Sequence, residues 1–187
     1  MAFKSQMWVI KRYEERDLIF MVYNWTYKTH LGFDDIMMTS DGEFLTGLWF
    51  VNSSDDLKHS FKGNSKFLPI FKDTCKWLDV YFSGRNPDFM VKYKISGLTD
   101  FRKDVISEML KIPFGKVTTY GDIAKSIALK RGIKKMSSQA VGGAVGWNPI
   151  CIIIPCHRVI GAFSKLTGYG GGLNNKLALL KNEGIDV

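Results

Sequence analysis

Apolar residues in the first half of the chain fall into short runs. Phe20 to Tyr27 is aromatic and β-branched, which predicts a strand. Ile36–Thr39 and Phe44–Phe50 flank Ser40-Asp41-Gly42-Glu43, whose Asp-Gly pair predicts a hairpin turn. Residues 51–65 are rich in Ser, Asp, Asn and Gly and read as an exposed loop. Between Phe67 and Phe82 the apolar positions Phe67, Ile70, Phe71, Leu78, Tyr81 and Phe82 recur near helical spacing, and Ser83-Gly84 ends the run. Cys75 within this helix reads as core packing. Val91 to Ile95 predicts a last strand, followed by a short linker, Ser96-Gly97-Leu98.

The pattern then turns helical. Thr99 suits an N-cap, with Phe101, Val105, Met109 and Leu110 marking one buried side, and Ile112-Pro113-Phe114-Gly115 ends that helix. Thr119-Tyr120-Gly121-Asp122 is a capping box with Asp in place of Glu, opening a helix through Ile123, Ala124 and Ile127. After the basic stretch Lys130–Lys135, Ser137 caps another helix reaching about Gly146. Two short helices around a basic turn suggest a helix-turn-helix whose second helix approaches DNA. That helix carries Ala140, Gly142, Gly143 and Ala144, although each glycine costs a helix about 1 kcal/mol. Close helix packing and close approach to a minor groove both account for such small residues.

Ile152-Ile153-Ile154 reads as a buried strand stopped by Pro155, placing Cys156, His157 and Arg158 at its end. A free thiol is only a few per cent thiolate at neutral pH, so a nucleophilic Cys156 needs help. His157 offers a base and Arg158 a fixed positive charge. Each taken alone has a plainer reading: Cys156 as a small buried hydrophobe, His157 as a satisfied imidazole, Glu183 as a solvated carboxylate.

Composition narrows the class. The 187 residues, 45% hydrophobic and 24% charged, are those of a globular protein with a real core. No apolar run approaches a membrane span, and Met1-Ala2-Phe3-Lys4 opens no secretory signal. The three cysteines, Cys75, Cys151 and Cys156, suggest neither a disulfide framework nor a zinc cluster, which fits a reducing, cytoplasmic setting. Residues 1–95 carry 13 Lys+Arg against 12 Asp+Glu, whereas residues 96–187 carry 13 against 6. The excess of the net +8 therefore lies in the half that holds Cys156, and points to a polyanionic partner.

Pro155-Cys156-His157-Arg158-Val159 resembles the active-site signature of the O6-alkylguanine-DNA alkyltransferases, also called methylated-DNA–protein-cysteine methyltransferases. The resemblance continues through Ile112 to Ala124, Ala140 to Ala144, Asn148-Pro149, Gly168 to Leu173, and Lys176 to Gly184. It covers roughly residues 99–184; the first half matches only weakly.

The resemblance implies an α+β fold in two parts. A ribonuclease-H-like N-terminal domain, 1–95, has a small antiparallel sheet with a helix; a winged-helix-like C-terminal domain, 96–187, carries the helix-turn-helix and the active site. It implies single-turnover transfer of an alkyl group from guanine O6 to Cys156, with no cofactor or metal. His157 would deprotonate the thiol through a water, oriented by Glu183, and Asn148 would fix the site. The substrate residues would be Tyr120 at guanine N3, the Gly170 amide at O6, and the carbonyls of Cys156 and Val159 at the exocyclic amine. Tyr169, Gly171 and Lys176 would complete the pocket. Contacts to DNA would come from Lys134, Lys135, Gln139, Ala140, Gly142, Gly143 and Arg158. Gln139 departs from the family, which usually places an arginine there to fill the stack left by the flipped base. The implied partner is double-stranded DNA containing O6-alkylguanine, met by a monomer in the cytoplasm, the nucleoid or the nucleus. The rival readings are a non-catalytic alkylated-DNA binder, a Cys–His hydrolase and a winged-helix regulator.

Overall fold

In the computed structural model, residues 22–30, 32–59 and 63–186 are described. Phe20 and Met21 of the first predicted strand lie outside these residues. Three strands, β1 (Tyr23–Tyr27), β2 (Ile36–Ser40) and β3 (Leu45–Phe50), pair antiparallel, with Tyr27 opposite Ile36 and Ile36 opposite Phe50. The predicted hairpin is formed: Asp41 Oδ1 accepts from the amides of Glu43 and Phe44.

Residues 51–65 are not the open loop expected of their polar composition. They hold a short helix, α1 (Ser54–His59), and β4 (Asn64–Ser65), which adds to β1 in parallel. The sheet order is β3-β2-β1-β4, so the sheet is mixed rather than antiparallel throughout. Ile70, Phe71, Trp77, Leu78 and Tyr81 of α2 (Pro69–Phe82) are buried, and the Phe82 ring stacks on Tyr27 of the sheet.

The predicted strand over Val91–Ile95 is reduced to one bridge, Tyr93 beside Leu45. Three helices follow as expected. The Thr99 side chain caps α3 (Asp100–Met109), Thr119 caps α4 (Tyr120–Arg131) and Ser137 caps α5 (Ser138–Val145), each accepting a backbone amide of the first turn. Gly132 ends α4 in a left-handed conformation, φ +64°. Between α3 and α4 lies β5 (Thr118–Thr119), parallel to β6 (Val159–Ile160), and α6 (Leu173–Asn182) closes the chain.

The strand expected at Ile152–Ile154 is absent. All three isoleucines are buried, as their chemistry demands, but the backbone runs through turns. Only Ile150 bridges a strand: Leu48 N–H donates to Pro149 O at 2.9 Å and Cys151 N–H donates to Leu48 O at 2.8 Å. Thereafter Ile153 N–H bonds to Cys151 O and Cys156 N–H to Ile154 O, both spanning two residues. Ile152 sits at φ +67°, a strained conformation for a β-branched residue. The open edge of β3 thus anchors the segment leading to Cys156. Buried residues from both halves of the chain, Leu48 and Phe50 with Ile150 to Ile154, form one continuous core.

Candidate active site

Cys156 begins a single 3-10 turn, Cys156–Arg158, and all three of its residues are buried. The Asn148 side chain staples this region together. Its Nδ2 donates to Ile150 O, to Ile154 O at 3.0 Å and to Cys156 Sγ at 3.1 Å, while Oδ1 accepts from Ile150 N–H. A donor aimed at sulfur favours thiolate over thiol. The Cys151 thiol holds Cys156 below its ordinary range; Asn148 acts in the same sense and burial opposes both. The same pairing, with burial, raises Cys151 well above its usual range, so Cys151 remains the protonated partner.

Glu183 stands at the end of α6, where four residues converge on its carboxylate. Tyr81 Oη donates to Oε1 at 2.7 Å, His157 Nε2 lies 2.7 Å from the same oxygen, and Gly115 N–H donates to Oε2 at 3.0 Å. Arg158 grips both oxygens through Nε and Nη2 at 2.9–3.1 Å, and its Nη1 donates to Ile112 O at 2.8 Å. Burial resists a charge there, but His157 and Arg158 outweigh it and hold the carboxyl at about 2. Gly115 takes φ +74°, which a residue with a side chain adopts only with strain.

An ionised carboxylate only accepts, so the proton shared with His157 belongs to Nε2. Burial pushes His157 below its ordinary value, which keeps the ring neutral. Its Nδ1 is then a bare lone pair, and that atom is buried without a hydrogen-bond partner. An imidazole of fixed tautomer therefore stands one residue along the chain from the Cys156 thiol.

The remaining expected residues divide into groups. Tyr120, Asn148, Cys156, Tyr169 and Gly170 line one small cleft. Lys176, fully buried, donates from Nζ to Val159 O at 2.7 Å and to Thr167 O at 3.3 Å, tying the strand after the thiol to the glycine loop. Gly171 packs against the Tyr169 and Phe50 rings, where a Cβ would come within 2.6 and 2.8 Å. On α5, Gln139, Ala140 and Gly143 are exposed, and a Cβ at Gly142 would meet the Tyr120 ring at 3.8 Å. A Cβ at Gly143 would meet nothing within 4 Å, so close helix packing does not explain that glycine. Lys134 and Lys135 are exposed. Arg158, expected among the DNA contacts, is instead turned inward on Glu183, because a buried carboxylate needs a compensating cation.

Sequence reasoning missed Tyr81, Cys151 and Asp55. Tyr81 counted only as an apolar helix position, and its hydroxyl, a polar atom on that buried face, was the available signal. Among the described residues no three His, Cys, Asp or Glu side chains converge as a metal site requires.

Comparisons with known proteins point to one family. Residues 100–185 match the family model of the 6-O-methylguanine DNA methyltransferase DNA binding domain. A methylated-DNA–protein-cysteine methyltransferase of Methanosarcina acetivorans is 41% identical over 151 residues, 80% of this chain and 91% of that one. The crystal structure of Mycobacterium tuberculosis OGT in complex with DNA superimposes with a TM-score of 0.71 at 36% identity, covering 86% of this chain and 92% of that one. The O6-methylguanine-DNA methyltransferase of Pyrococcus kodakaraensis gives 0.59 at 25% identity, over 88% of this chain and all of the other.

Proposed function

The chain belongs to the methylated-DNA–protein-cysteine methyltransferase family, and on that premise we propose that Cys156 is the residue that takes the alkyl group from guanine O6 in DNA. His157 Nδ1 accepts the thiol proton through a bridging water, and Glu183 holds Nε2–H and supports the charged ring that results. The thiolate attacks the alkyl carbon. A C–S bond forms as the C–O6 bond breaks, and guanine departs with the bonding pair and takes up a proton. Asn148 keeps the sulfur aimed, and Tyr120 and the Gly170 amide hold the base at N3 and O6. Nothing in the site releases a thioether, so each molecule acts once.

The observation that carries this reading is the unshared, buried Nδ1 of His157, one residue along the chain from a thiol that Asn148 and Cys151 both favour as thiolate.

A thiol this buried reaches only a base taken out of the duplex. We assign DNA contact to α4 and α5 as a helix-turn-helix entering the minor groove. Gln139, Ala140, Gly142 and Gly143 face the groove, and Lys134 and Lys135 face phosphates. We further read residues 1–95 as a ribonuclease-H-like scaffold and 96–187 as a winged-helix-like catalytic unit, acting as a monomer in the cytoplasm, or in the nucleoid or nucleus of its source. The non-catalytic alternative lacks support, since its essential difference would be the loss of the nucleophile that Cys156 provides.

Titration with excess duplex carrying one O6-methylguanine tests the proposal. One lesion repaired per protein molecule is expected; repeated turnover would overturn it.

A further inference from the structure

We propose that Asp55 sets which alkyl groups Cys156 accepts, its carboxylate forming a wall of the pocket that disfavours anionic adducts. The inference rests on the function proposed above. Asp55 lies in α1, in the half of the chain whose sequence shows no motif for chemistry. It nevertheless lines the same cleft as Tyr120, Asn148, Cys156 and Tyr169, and it is only 3% exposed.

Several contacts hold it there. Its backbone N–H donates to Gly170 O at 3.1 Å, and the Ser54 hydroxyl donates to the same carbonyl at 2.8 Å. Lys58 Nζ lies 3.1 Å from Oδ1. Oδ2 accepts from the Cys151 thiol at 3.8 Å. A Cβ on residue 170 would come within 2.1 Å of both carboxylate oxygens, so glycine at 170 leaves the space that Asp55 fills.

A negative charge here works against the thiolate, which Asp55 destabilises through space. Lys58 offsets it only in part, because its own side chain is half exposed. The charge therefore acts on whatever enters the cleft. The carbon under attack touches Sγ, so a carboxylate attached to that carbon enters the cleft that Asp55 lines. Like charges about 5 Å apart at an effective dielectric of about 20 repel strongly enough to slow a reaction by two to three orders of magnitude, less whatever Lys58 offsets. A methyl group carries no charge and escapes this. The bonding changes are the same for both groups: S–C forms, C–O6 breaks, and guanine leaves protonated.

The test compares the full-length protein with Asp55→Asn and Lys58→Met, on duplexes carrying O6-methylguanine or O6-carboxymethylguanine. Single-turnover rates are read as mass added to the protein. Asp55→Asn should raise the carboxymethyl-to-methyl rate ratio at least tenfold. Lys58→Met leaves the carboxylate unpaired and should lower that ratio several-fold; being on the surface, it also decides the matter if Asp55→Asn fails to fold. Ratios unchanged from the native protein, or a rise with Lys58→Met, would overturn the proposal. A native protein that takes no methyl group would instead sink the function itself, and this inference with it.

Discussion

Glu183 accepts from Tyr81, His157, Arg158 and Gly115, and so ties three separate segments to the ring of His157, one residue along the chain from Cys156. Its folded value of about 2 lies below the ordinary 4.5, so its stabilisation is present above pH 4.5 and is lost as pH falls toward 2. Two and a half units correspond to about 3 kcal/mol. Urea unfolding should therefore show the native protein losing about 3 kcal/mol relative to Glu183→Gln between pH 5 and pH 2. The same variant should transfer methyl about 100-fold more slowly at pH 7, since it leaves His157 without its carboxylate. An unchanged rate would remove Glu183 from the relay. At Gln139, exposed on the first turn of α5, a neutral side chain fills a vacated stack less well than an arginine. Gln139→Arg should speed repair of duplex several-fold while leaving reaction with free O6-methylguanine base unchanged; equal duplex rates would show that this position does not fill the stack. Cys156, His157, Asn148 and Glu183 were legible as a motif. Tyr81 and Asp55 were not, because their roles come from long-range packing against residues about 100 positions away.

At the scale of elements, caps were the most legible feature: Thr99, Thr119 and Ser137 each begin a helix through a local side-chain bond. The active-site segment was not legible in the same way. Three isoleucines predict burial, and burial is what they have, but whether such a run pairs as a strand depends on a free partner edge. Here β3 offers its edge only as far as Ile150 and Cys151, and the chain then turns to bring Cys156 back over Asn148. The polar run 51–65 misled for a related reason, since Asp55 is buried by the glycine loop and not by its neighbours. The glycines of α5 make a test with two signs. A Cβ at Gly143 meets nothing, so Gly143→Ala should stabilise the helix by up to about 1 kcal/mol and raise Tm by a few degrees. If α5 lies in a groove, the same methyl should weaken duplex binding several-fold. A higher Tm with unchanged affinity would take α5 off the DNA.

Charge belongs to the whole molecule, which carries a net +8. Lys130 and Arg131 are both paired with Asp104, which spends their charge on holding α4 to α3. Lys134 and Lys135 stand exposed beyond the cap. Each phosphate neutralised adds about −0.9 to the log–log salt slope of duplex binding. Replacing Lys134 and Lys135 together by alanine should flatten that slope by between one and two, and an unchanged slope would place the turn away from DNA. The two halves share one core and meet at the site itself, since Tyr81 and Asp55 come from the first half and Cys156 and Glu183 from the second. The central claim is that this arrangement serves a single sulfur. Peptide mapping of the protein after reaction with duplex O6-methylguanine tests it most directly. The account predicts one methyl group on Cys156 and none on Cys151 or Cys75; a methyl group on either of those, or on no cysteine, would contradict it.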